Sequence, residues 1–189
     1  RLAKESPFDE IIKIYNLGQL SFGENQIQEI ETKWFDFKNA NKDITLHYVG
    51  SIQSRKTISI LENCDVVHSV DRMKIVKLIK EFENKTGIKR KYFLQINTGN
   101  EPQKSGISLQ EADSFIAECK NINNFNIEGL MCLPPMNEDP KKHFNILKSL
   151  AKNHQLSSLS MGMSHDFREA IQCGATHIRV GTSIFGARD

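Results

Sequence analysis

The chain has 189 residues, 39% hydrophobic and 25% charged, which is enough for one well-buried core and too little for two full domains. Its net charge of +2 is the small difference between 25 basic and 23 acidic side chains, so neither nucleic acid nor an anionic membrane is expected as a partner. Cys64, Cys119, Cys132 and Cys173 are widely separated, with no CxxC and no histidine at ligand spacing. That argues against a zinc site and a disulfide framework. No apolar run would span a bilayer and no secretory leader is visible, so a cytoplasmic protein is expected.

In chain order, RLAK at the start reads as the tail of an apolar strand. In SPFDEIIKIYNLG, Ser6 can cap a helix and Pro7 suits its first position; Phe8, Ile11, Ile12 and Tyr15 form one face, and Gly18 ends it. A strand at 20–22 precedes a helix marked by Ile27, Ile30, Trp34 and Phe37, and strands follow at 46–49 and 66–70. The lysine-rich stretch 72–91 carries Ile75, Leu78, Ile79 and Phe82 at helical spacing and reads as an amphipathic helix with a solvated basic face. After a strand at 92–97, SLQE at 108–111 is a capping box that opens a helix striped by Ala112, Phe115, Ile116 and Cys119. A strand at 127–133, a helix with Phe144, Leu147, Leu150 and Ala151, and strands at 158–161 and 177–180 complete the pattern.

Counting the opening tail, eight strands alternate with helices. This predicts a parallel sheet closed into a (β/α)8 TIM barrel, with a doubly wound open sheet as the alternative. In the barrel, chemistry sits at the C-terminal ends of the strands, and a phosphate is often held by the loops after strands 7 and 8. Those loops fall in LSMGMSHDF (159–167) and HIRVGTSIFG (177–186), each an apolar run followed by Gly and Ser or Thr. Small residues there let backbone N–H groups approach an anion.

Lys4, Asn25, His47 and His68 fall on the same rim. A lysine aimed into a barrel mouth opposite a phosphate cup is what a Schiff base with pyridoxal phosphate requires. Arg179, two residues before the second turn, is placed to meet the pyridine nitrogen, and inside a barrel it needs an acceptor. Structural roles compete at each position. Lys4 can be a solvated side chain, Ser160 to Ser164 can cap a helix, Asn25 can be a cap, Met161 and Met163 can be packing, and His47 and His68 can be layer residues. No HExxH, nucleophile elbow or Walker loop is present. Three classes stay open on these residues: a cofactor-holding regulatory protein, a racemase or decarboxylase, and a phosphosugar enzyme with no cofactor.

The ordered set Ala3-Lys4 with Ser6-Pro7, FGEN (22–25), HYVGSIQ (47–53), VHSVD (67–71), QIN (95–97) with Glu101 and KSG (104–106), EGLM (128–131), LSMGMSHD and IRVGTSIFG resembles the pyridoxal phosphate homeostasis proteins, single-domain relatives of the alanine racemase barrel. Departures are mild: Leu46 where the family often has Trp, Arg55 where it often has Asn, and Phe167 where it often has Leu. The resemblance implies one domain over 1–189 of pyridoxal phosphate fold type III, with the family's N-terminal helix and most of its first strand ahead of Arg1. It implies pyridoxal 5'-phosphate linked to Lys4, phosphate held by Ser160, Ser164, Gly181 and Thr182, and Arg179 at the ring nitrogen. Asn25, Met161 and Gly162 complete the expected cofactor-binding set, and no metal is expected.

The function implied is holding and delivering the cofactor, with PLP-requiring apo-enzymes as recipients, as a monomer and with little or no turnover. A racemase-like enzyme is the alternative. Racemases of this barrel manage with arginine by using a second acid–base residue from a partner subunit's further C-terminal domain. Here the sequence ends at Asp189, and none of Tyr15, Tyr48 and Tyr92 is an evident second base.

Overall fold

The computed structural model describes residues 8–186. The expected first strand, and Lys4 with it, lies outside the described residues. Helix α1 (Phe8–Asn16) has Asp9 and Glu10 in its first turn, where they complement the dipole. It ends at Gly18, whose φ of +91° suits glycine. The buried face is Ile11 and Ile14 rather than Ile11 and Ile12, because Phe8 and Tyr15 both pack edge-on against Phe37 and turn the helix accordingly.

Strand β1 (Ser21–Glu24) leads into the predicted second helix, which is interrupted: α2 (Ile27–Glu29), a π-helical turn at Ile30–Trp34, then α3 (Phe35–Ala40). The wider turn carries Trp34 into the core, where its indole Nε1–H donates to the buried Glu24 Oε1 at 3.1 Å. Next come β2 (Thr45–Tyr48), a 3₁₀ turn at Ser54–Lys56, α4 (Thr57–Asn63), β3 (Val66–Val70), α5 (Met73–Thr86) and β4 (Lys91–Asn97). A two-residue strand that sequence reading did not anticipate, β5 (Ile107–Ser108), pairs with the end of β4. It brings the capping box to α6 (Leu109–Lys120). There Ser108 Oγ donates to Glu111 Oε2 at 2.6 Å, so the box closes between side chains rather than through backbone N–H groups. The remainder is β6 (Ile127–Cys132), α7 (Pro140–Asn153), β7 (Ser158–Met163), α8 (Phe167–Gln172), β8 (His177–Arg179) and α9 (Thr182–Phe185).

The strands are all parallel in the order β1-β2-β3-β4-β6-β7-β8, with β5 off this path. They form a nearly closed barrel with helices outside. Strand alternation divides the core into two layers. Leu46, Tyr48, Val67, Val70, Leu94, Ile96, Leu130, Leu159 and Met161 belong to the continuous apolar layer packed with the helices. Val66, Phe93 and Met131 form a separate small cluster, and His47, His68, Ser160 and Arg179 meet one another by hydrogen bonds. A barrel interior is usually filled with branched aliphatic side chains; this one carries a polar belt.

The loops at the strand ends are tightly stacked. At Gly50, after β2, an added Cβ would lie 2.0 Å from the backbone oxygen of Asn25, after β1. Because the obstacle is backbone, Gly50→Ala should destabilise the protein by about 3 kcal/mol, read from the urea midpoint at unchanged slope. A midpoint equal to the parent's would show that the two loops separate freely.

Candidate functional site

The loops after β7 and β8 meet. The β7 turn is held by Asp166, only 4% exposed, whose Oδ1 accepts from Met163 N at 2.6 Å while Asp166 N donates to Met163 O at 3.1 Å. Gly162 makes this turn possible: its φ is +94°, and a Cβ there would lie 2.6 Å from that of Ala170 on α8. Ser164 Oγ then accepts from Gly181 N at 3.2 Å and lies 3.5 Å from Ser183 N, while Ser183 Oγ donates to Ser164 O at 3.5 Å. Ser164, Gly181 and Thr182 are thereby brought together at the barrel mouth, Thr182 exposed as the first residue of α9. Ser183 joins them, a residue that sequence reading passed over although its hydroxyl is adjacent to Thr182.

Ser160 and Met161 lie deeper on β7. Met161 is fully buried in the outer apolar layer. Ser160 faces the barrel interior, fully buried, and its hydroxyl is already engaged by Arg179 Nη1 at 2.6 Å and His68 Nδ1 at 2.8 Å. The expected phosphate set therefore divides into three residues at the mouth and one below it. Arg179 finds the acceptors its burial demands, with Nη2 donating to the backbone oxygen of Cys132 at 2.9 Å. Desolvation holds its guanidinium below the ordinary arginine range, yet arginine stays protonated in proteins. Asn25 follows β1, half-buried, and its buried Oδ1 has no hydrogen-bond partner among the described residues.

His47 and His68 point inward, and His177 joins them, with ring centroids 6.1 Å and 5.9 Å from theirs. His177 was missed in the sequence, although it stands two residues before Arg179 in a strand and so shares its face. Burial is the main reason all three imidazoles titrate low. His47 is pushed down to about 4, with the neighbouring His177 adding to the effect, and His68 lies well below the ordinary histidine range. A cavity of about 490 Å³ runs along this face, lined among others by Gly23, His47, His68, His177, Arg179 and Ile184.

The family model described as alanine racemase, N-terminal domain, matches residues 5–189, which places this parallel barrel in the alanine-racemase class. The chain is 35% identical to the pyridoxal phosphate homeostasis protein of Pasteurella multocida, covering 100% of this chain and 85% of that protein. It is 31% identical to the Escherichia coli K12 protein of the same name, covering 100% and 84%. The solved structure of PipY from Synechococcus elongatus, described with PLP bound, superposes with a TM-score of 0.90 at 30% identity, over 98% of this chain and 90% of that one. Alanine racemase of Clostridium difficile shares the fold, with a TM-score of 0.75 at 12% identity over 95% of this chain and 48% of the enzyme. The chain belongs to the pyridoxal phosphate homeostasis proteins of the alanine racemase N-terminal domain family.

Proposed function

We propose that the protein binds pyridoxal 5'-phosphate and serves in its intracellular homeostasis, holding the cofactor and delivering it to PLP-requiring apo-enzymes, as a cytoplasmic monomer with little or no turnover. The observation that carries this is the meeting of the β7 and β8 loops at Ser164 and Gly181, 3.2 Å apart, above the buried guanidinium of Arg179. The donor set fits the group. Backbone N–H groups of the two turns and the hydroxyls of Ser164 and Thr182 suit a phosphate dianion, with Gly181 N–H holding the Ser164 hydroxyl in place, and Asn25 Oδ1, without a partner among the described residues, offers an acceptor at the same rim. Gly162 and Met161 act from beneath, one allowing the turn and the other anchoring its strand. Lys4 is proposed to take the aldehyde. The names of the relatives and the PipY complex support the same assignment.

When bound, the cofactor offers an aldehyde carbon and an electron-accepting ring. Arg179 would hold the ring nitrogen as a donor that keeps its own proton, and the ring would then be a weak electron sink. The three tyrosine hydroxyls are engaged elsewhere: Tyr15 with Asp43 at 3.1 Å, Tyr48 with Ser51 O at 3.2 Å and Tyr92 with Glu83 at 3.0 Å. Burial also pushes Tyr48 up to about 12. None is poised as a second acid–base group, which weighs against a racemase.

Borohydride treatment of the cofactor-loaded protein followed by peptide mapping should find the label on Lys4, with alanine racemization, transamination and decarboxylation at background. Label on Lys104 would overturn the placement. That amine is occupied by Pro134 O at 3.2 Å and Glu101 at 2.6 Å. Turnover of an amino acid at about 1 per second or faster would overturn the non-enzymatic assignment.

A further inference from the structure

Behind Arg179 the barrel interior holds a continuous run of hydrogen bonds. Arg179 Nη1 is 2.6 Å from Ser160 Oγ, Ser160 Oγ is 2.8 Å from His68 Nδ1, and His68 Nε2 is 2.8 Å from His47 Nδ1. Donor counting gives the run a direction. A guanidinium only donates, so Ser160 Oγ accepts from Arg179. Among the described residues the hydroxyl proton of Ser160 then has one other partner within reach, His68 Nδ1, and a fully buried hydroxyl that left its proton unpaired would forfeit a hydrogen bond. His68 therefore accepts at Nδ1 and, as a neutral ring, carries its proton on Nε2, which donates to His47 Nδ1. His47 in turn carries its proton on Nε2, a buried atom without a hydrogen-bond partner among the described residues.

The surroundings hold His68 in its neutral form. Burial does most of this, and the guanidinium of Arg179 from β8 opposes a second positive charge beside it, with His177 from β8 and His47 from β2 also facing the ring. Phe93 from β4 stacks on the ring with centroids 4.4 Å apart. The run also determines how Arg179 is used. Of its five N–H donors, two are given to Ser160 Oγ and Cys132 O, and the other three have no hydrogen-bond partner among the described residues.

We propose that Ser160 and His68 are positioning residues for Arg179: the one-directional run from guanidinium to hydroxyl to imidazole fixes which edge of Arg179 is engaged within the barrel and which edge is presented to the ring nitrogen of the cofactor. The role toward the ring rests on the cofactor assignment above; the direction of the run does not. Two-bond ¹H–¹⁵N spectra of cofactor-free, histidine-labelled protein at pH 7 should show His47 and His68 both as neutral Nε2–H tautomers. A His68 protonated on Nδ1 overturns the direction.

Ser160→Ala removes a single buried oxygen. It should shift the His68 tautomer population, weaken retention of pyridoxal phosphate about tenfold, as expected for one lost hydrogen bond to a charged group, and displace the absorption band of the bound cofactor. Ser160→Thr, which restores the hydroxyl, should recover the band. Unchanged retention and an unchanged band in Ser160→Ala overturn the positioning role. If the parent protein retains no pyridoxal phosphate, the cofactor assignment fails and the role toward the ring falls with it, while the tautomer spectra still decide the run itself.

Discussion

Acidification from pH 7 to 5 should destabilise the fold by about 2 kcal/mol through His47 alone, with His68 adding in the same direction, ahead of most carboxylate titration. In the unfolded chain a histidine takes up a proton near pH 6.5. In the folded barrel His47 does so only at about 4, and His68 lower still. Across that window the unfolded state binds more protons than the native state, so stability falls as the pH falls. His177, also depressed, adds in the same direction. Glu83 works in a later window. Its carboxylate is held low by hydrogen bonds from Lys89, Lys80 and Tyr92, against an opposing desolvation, so its contribution is lost only as the pH drops below the ordinary glutamate range. Urea denaturation at pH 7, 6 and 5 separates the two, and a free energy of unfolding that stays flat over that range would show that the imidazoles are reached by water and protonate in the native state.

The same histidines show where sequence reading stops. Strand and helix alternation is legible because each parallel strand is a short apolar run and each outer helix repeats its apolar face every three to four residues. The strand expected at 158–161 runs on to Met163 because Gly162, in a left-handed conformation, lets Met163 still pair with Arg179 after a register shift. The π turn at Ile30–Trp34 leaves no mark, since one widened turn moves the apolar stripe by less than a residue's width. His47, His68, Ser160 and His177 come from β2, β3, β7 and β8, and nothing local in any of those strands signals the other three. Strand register aligns them, with Ser160 opposite His177 on the neighbouring strand. The cup is more legible than the belt because its pieces are chemically distinctive turns, Gly with Ser or Thr, whereas an inward histidine looks like any other alternate strand residue.

Lys4→Ala should abolish the covalent attachment of pyridoxal phosphate yet leave weaker, reversible binding. The contacts at the mouth do not depend on that lysine: Ser164 and Gly181 are linked to each other across the two loops, and Arg179 is fixed from behind by Ser160 and Cys132. Replacing Ser164 and Thr182 together with alanine leaves the lysine but removes two hydroxyls from the cup. It also unties Gly181 N from its acceptor, so the loops after β7 and β8 keep only the longer bond from Ser183 Oγ to the backbone oxygen of Ser164. Each lost charge-assisted hydrogen bond is worth roughly 1.5 to 3 kcal/mol, so the double variant should lose retention of the cofactor on the order of a hundredfold. Equilibrium dialysis of the two variants beside the parent distinguishes the contributions, because the first removes the bond and keeps the cup while the second does the reverse. If Lys4→Ala retains no cofactor and the double variant retains it like the parent, the phosphate lies elsewhere than between Ser164 and Thr182.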